Sequence, residues 1–130
     1  MSPTLPALAV GAALGGASAR AVRALGDRGS VLAAGGALVT AAVIYPAARR
    51  DHGPSVAHAV EGAVVVATSG LAVAAARRDG RAGRRLLAAG WAAHALFDWA
   101  PGPSADSRLP GWYAPLCAGF DVAYAALLLG

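Results

Sequence analysis

Five stretches of the chain are almost wholly apolar, at about 5–22, 30–48, 55–76, 84–100 and 112–129, and each ends at Arg, Pro, Gly or Asp. As helices, runs of roughly 17 to 22 residues reach about 25 to 33 Å, close to the hydrocarbon thickness of a bilayer. The pattern predicts an all-α fold, a polytopic transmembrane bundle of about five helices forming one domain over residues 1–130. In the first run, Ala17, Ser18 and Ala19 resemble a signal-peptidase site, and cleavage there would leave four helices. No positive charge precedes that run, however, and Gly11 and Gly15 form a GxxxG pair suited to close helix packing. We therefore read it as a retained helix.

The polar positions inside these runs are few and patterned. If successive helices alternate in direction, run two carries Tyr45 near its end, and run three carries His58 and Glu61 in its first turns. Run four carries His94 and Asp98 in its last turns, and run five carries Cys117 and Asp121 in its first half. All lie about 3 to 9 positions below one boundary, or roughly 5 to 14 Å deep at the helical rise. The opposite halves of the same runs hold almost nothing ionisable. An ionised carboxylate at the centre of a membrane helix costs about 2.5 to 3.5 kcal/mol on insertion scales, so such groups usually face the protein interior and pair. Glu61, Asp98 and Asp121 are accordingly expected to converge on something that offsets that cost.

Spacing sharpens the expectation. His58 and Glu61 are i,i+3, while His94 and Asp98, and Cys117 and Asp121, are i,i+4, so each helix shows one carboxylate beside one proton donor or ligand on a single face. Tyr113 and Tyr124 share the face of the last pair. Opposed across a bundle, these groups would form one polar pocket. We take Glu61, His94, Asp98 and Asp121 as candidate catalytic residues, and Tyr45, His58, Trp91, Trp112, Tyr113, Cys117 and Tyr124 as candidate substrate-binding residues. The structural alternatives are an interfacial cap for Asp98, an interhelical bridge for Glu61, a small buried thiol for Cys117 and belt aromatics for Trp112 and Tyr113.

Composition agrees with the membrane reading. The chain is 57% hydrophobic and 14% charged with a mean hydropathy of +0.53, whereas soluble domains carry roughly 25% charged residues. Its formal charge of +4 comes from eleven basic residues, all arginine. They cluster between apolar runs rather than on a face with exposed aromatics, so no nucleic-acid partner is expected. By the positive-inside rule, Arg23, Arg28, Arg77, Arg78, Arg81, Arg84 and Arg85 mark the cytoplasmic side, against Arg49, Arg50 and Arg108 on the other. That places the protein in the inner (plasma) membrane with the N-terminus outside, the C-terminus cytoplasmic, and the polar layer in the outer leaflet. The single cysteine excludes an intrachain disulfide and a Cys-rich zinc site.

From Gly90 the chain reads GWAAHALFDW and then LPGWYAPLCAGFDVAYAALL. It resembles an uncharacterised family of small bacterial multi-helix membrane proteins with the pattern H-x3-D, then P-x-W-Y and C-x3-D, over roughly the last 40 residues, with a weaker echo at Tyr45 and Glu61. The resemblance implies a shared site at His94, Asp98, Trp112, Tyr113, Cys117 and Asp121, and no activity. Some relatives carry a further histidine after the aspartate; here the chain gives WAPGP.

Four functions compete. The first is an intramembrane enzyme, of isomerase, cyclase or epoxide-opening type, acting on a lipid or isoprenoid-like apolar substrate without a cofactor. Burial favours the neutral form of an acid or base, so one carboxyl can serve as general acid while another, or His94, serves as base. No Ser/His/Asp signature, nucleotide loop or phosphate motif is present. The second is a metal-binding bundle using His58, Glu61, His94, Asp98 and Asp121, although the order His-x-x-Glu reverses the usual Glu-x-x-His. The third is a proton or solute transporter, for which the second half of a relay is lacking unless a homo-oligomer supplies it. The fourth is a structural or accessory membrane protein.

Overall fold

A computed structural model describes residues 4–99 and 107–129. These residues form five helices: α1 (Thr4–Arg23), α2 (Gly26–Ala48), α3 (Val56–Ala76), α4 (Gly80–Trp99) and α5 (Tyr113–Leu129). The all-α bundle is thus observed. α1, α2 and α3 are each long and apolar enough to cross a membrane, and α5 is a shorter apolar helix of 17 residues. The outward faces are apolar as well, with Val66 and Leu96 about three-quarters exposed (74% and 75%) beside exposed Val10, Leu14, Val73 and Val122. Apolar exposure this extensive suits lipid rather than water.

Two helices begin earlier than the apolar pattern indicates. α2 starts at Gly26 rather than near 30, and α4 at Gly80 rather than near 84, so Arg28, Arg81, Arg84 and Arg85 are helical. The cause is local capping and pairing. Asp79 accepts the Ala82 N–H at 2.9 Å as an N-cap, Arg84 pairs with Asp27, and Arg28 donates to the Ala76 carbonyl at 2.6 Å, a C-terminal carbonyl of α3. At the other end, Ser55 caps α3 by accepting the His58 N–H at 3.1 Å.

α1 packs chiefly on α5, α5 also on α4, and α2 on both α3 and α4. The α1–α5 seam explains the glycine spacing: the buried residues of α1 are Ala7, Gly11, Gly15 and Ala19, one every four positions. A Cβ on Gly11 would overlap the Leu116 carbonyl and one on Gly15 the Phe120 carbonyl, so only glycine permits the backbones to come this close. Leu38, Leu87, Leu128 and Trp91 fill the centre. The α2 C-terminus is tied to the chain before α5 by an isolated bridge between Arg49 and Ser107 and by an Arg108 N–H to Ala48 carbonyl bond of 2.9 Å.

Candidate functional site

The expected polar layer is present at the end of the bundle where α2 and α4 finish and α3 and α5 begin. It is two constellations, not one. The single pocket expected of Glu61, His94, Asp98 and Asp121 divides because Glu61 bonds elsewhere.

Its partner is Arg49, which sequence reasoning assigned to a loop. Arg49 Nε donates to Glu61 Oε1 at 2.7 Å and Arg49 Nη2 to Oε2 at 2.9 Å, a bidentate fork with both residues buried (5% and 1% exposed). α2 and α3 are antiparallel neighbours joined by residues 49–55, so a long side chain at the C-cap of α2 reaches back to a carboxylate in the second turn of α3. The signal is in the sequence: Arg49 follows directly on the second apolar run, and Glu61 is the one anion inside the third. His58 Nδ1 stands 3.6 Å from Glu61 Oε1 without a hydrogen bond, and the His58 ring meets that of His52 edge-on.

The second constellation joins α4, α5 and α2. His94 Nδ1 lies 2.8 Å from Asp121 Oδ2 and 3.4 Å from Asp98 Oδ2. Tyr45 OH donates to Asp98 Oδ1 at 2.6 Å. His94, Asp98 and Asp121 are 4%, 3% and 2% exposed, and one ligand atom from each falls within 4.8 Å of the others. Two carboxyl groups thus converge on one imidazole in a dry site. A cationic His94 balances only one of them, so the second requires a proton or a further cation.

Aromatic layers enclose the triad along the helix axes. One turn towards the arginine-rich end, Trp91 packs on Tyr124 with ring centroids 4.6 Å apart, and Phe120 stacks on Tyr124. Trp91 is fixed further by its Nε1–H bond of 3.2 Å to the Ala34 carbonyl. Of the residues expected to bind substrate, Trp91 and Tyr124 therefore sit in the core as the floor of the triad. On the other side, Tyr45 meets Phe97 and Tyr113 edge-on at 5.5 and 6.2 Å. Cys117 is half-buried beside Tyr113, within electrostatic range of Asp98 and Asp121. Trp112 is about half exposed and touches only the rim, through Tyr113.

Two atoms of the triad have no hydrogen-bond partner among the described residues: Asp98 Oδ2 and His94 Nε2. The second is on the edge of the ring away from Nδ1. His94 also forms part of the wall of a groove between α3 and α4 of about 380 Å³, lined by Val64, Thr68 and Leu71 on one side and Gly90, His94 and Phe97 on the other. A carboxylate can only accept, so in the neutral ring an ionised Asp121 fixes the proton on Nδ1 and leaves the lone pair on Nε2.

The fold and site thus define a helical bundle with apolar helices able to cross a membrane and a buried His–Asp–Asp cluster near one end. No family model, curated protein or solved structure matches the chain.

Proposed function

We propose that this is a multi-pass plasma-membrane protein in which His94 acts as a general acid–base on an apolar, lipid or isoprenoid-like substrate held between α3 and α4. The observation that carries the reading is one ring with two different environments. Nδ1 is held by Asp121, while Nε2, a buried atom of a residue in the groove wall, has no hydrogen-bond partner among the described residues. Burying an unpaired polar atom costs roughly 1 to 3 kcal/mol, a cost that a substrate group would offset.

In this reading Asp121 orients the imidazole and stabilises its cation, as the carboxylate of a His–Asp pair does in hydrolases. Nε2 takes a proton from the substrate and returns it at a neighbouring atom, the elementary operation of a double-bond isomerisation or cyclisation. Asp98, held by Tyr45, supplies the second carboxyl that shares the charge. Glu61 is reassigned from acid–base work to holding α2 on α3. All five helices cross the bilayer, with the arginine-rich end cytoplasmic and the triad near the outer face, in keeping with the distribution of loop arginines.

The test is direct. Purified protein in lipid nanodiscs is incubated in D2O with a neutral lipid extract, and the lipids are searched by mass spectrometry for deuterium at carbon. Incorporation by the native protein and its loss in His94→Gln is expected; no incorporation, or incorporation untouched by His94→Gln, sinks the proposal.

A second reading, a divalent cation held by His94, Asp98 and Asp121, is favoured by the mutual approach of their ligand atoms and the unpartnered Asp98 Oδ2. One histidine and two carboxylates suit a hard or borderline ion. Metal analysis of the purified protein against His94→Ala decides it: no metal at stoichiometric level in the native protein removes this reading.

A further inference from the structure

Resting on the acid–base reading of His94, the composition of the groove narrows what can occupy it. Nothing charged contributes to either wall, which is built from Val64, Ala67, Thr68 and Leu71 of α3 and Ala89, Gly90, Ala93, His94 and Phe97 of α4. The one hydroxyl, that of Thr68, is turned back on its own helix, donating towards the Val64 and Val65 carbonyls at 2.9 and 3.1 Å. Of the arginines at this end of the bundle, Arg49 is engaged bidentately with Glu61, and Arg50 and Arg108 are not among the groove's wall residues. An anionic headgroup within the groove would thus find no arginine in its walls. It would also lie near Asp98 and Asp121.

The groove is long and narrow. Val64 to Leu71 spans seven residues, or about 10 Å at the helical rise, and its floor is set by Gly90, where a Cβ would collide with the Leu71 side chain. Small residues on α4 open the space: Ala89 and Ala93 flank Gly90, and both are among the wall residues. Besides Thr68 its one polar residue among those described is His94, whose Nε2 is buried without a hydrogen-bond partner and whose ring lies 5.7 Å from that of Phe97. In the neutral ring, with Nδ1 protonated towards Asp121, Nε2 accepts a hydrogen bond and does not donate one.

We propose that the groove binds a neutral, hydroxyl-bearing single-chain lipid, entering sideways from the bilayer. Its chain lies between α3 and α4 along Leu71, Gly90 and Val64, and its hydroxyl, on displacing the Phe97 ring, donates to His94 Nε2. Carboxylate and phosphate forms of the same chain are rejected, because they bring an acceptor and a negative charge to an acceptor backed by two carboxyl groups.

Photolabelling tests this without any turnover. A long-chain alcohol carrying a tail diazirine, its matching carboxylate and its matching phosphate are each presented to the protein in nanodiscs, and labelled peptides are mapped. The alcohol is expected to label residues 64–71 and 89–97 at least about ten-fold more strongly than either anion, a difference of about 1.4 kcal/mol. Ala93→Phe and Val64→Phe, which fill the groove from opposite walls at lipid-facing or half-buried positions, should each abolish that labelling while the thermal midpoint is retained. His94→Gln should reduce the preference for the alcohol. Equal labelling by the carboxylate or phosphate, or labelling that persists in both Phe variants, overturns the inference. Specific alcohol labelling without deuterium exchange would leave the binding site standing and reject the proton-transfer reading.

Discussion

The two buried carboxylate constellations differ in how completely they are satisfied, and that difference separates structure from chemistry. In the Arg49–Glu61 pair both carboxylate oxygens accept from one guanidinium, and cation and anion cancel. In the His94–Asp98–Asp121 triad two acids share one imidazole, and Nε2 and Asp98 Oδ2 have no hydrogen-bond partner among the described residues. Both are removed from solvent at the same end of the bundle. The closed pair therefore reads as a clasp between α2 and α3, and the open triad as a site whose unmet valences a substrate completes.

The comparison breaks first at Arg49. Removing one partner of a buried ion pair leaves an uncompensated charge and typically costs about 3 to 5 kcal/mol. Arg49→Gln or Glu61→Gln should each lower the thermal midpoint in detergent by the largest margin of any variant considered. The double change Arg49→Met with Glu61→Leu should recover most of that loss, since a neutral apolar pair carries no desolvation cost. If the single variants melt within a degree or two of native, the clasp assignment is wrong.

Much of this was legible in the sequence, and the rest was hidden for identifiable reasons. Helix number, the GxxxG seam of α1 and the common depth of Tyr45, His94, Asp98 and Asp121 follow from run lengths and alternation of direction. Depth is not azimuth, however. Glu61 has the right depth, and only the packing of α3 on α2 reveals that it faces Arg49. Loop arginines mark topology, which leaves the pairing of Arg49 with Glu61 unseen, and the Asp79 cap and the Asp27 pair extend α4 back to include Arg81. Trp91 shows the same limit. It is a candidate substrate contact by sequence, whereas its Nε1–H finds the Ala34 carbonyl and its ring joins the core.

An intermediate effect is expected at Tyr45, which connects the comparison to the aromatic roof. Tyr45→Phe removes the donor to Asp98 Oδ1 while keeping the ring against Phe97 and Tyr113. Leaving a buried acceptor unmet costs roughly 1 to 3 kcal/mol. Stability should fall by less than in the Arg49 variants, and deuterium exchange should weaken but persist, because the Asp121 contact with His94 is untouched. An exchange rate equal to native would show that Asp98 contributes nothing to the chemistry.

The smallest change in stability is expected where the change in function is largest. Asp121→Asn is nearly isosteric and removes one of two carboxyl groups competing for a single imidazole, so stability should change by no more than about 1 kcal/mol and can rise, as it does when a functional site selected for activity is neutralised. Exchange should nevertheless fall about 100-fold or more, since the carboxylate that sets the tautomer and balances the imidazolium is gone. A clasp behaves in the opposite way, losing stability first. Measuring both quantities on Asp121→Asn and Glu61→Gln therefore places each constellation independently: a strongly destabilised Asp121→Asn would make the triad a second clasp, and the open valence at His94 Nε2 would then be a tolerated cost of packing rather than a place for substrate.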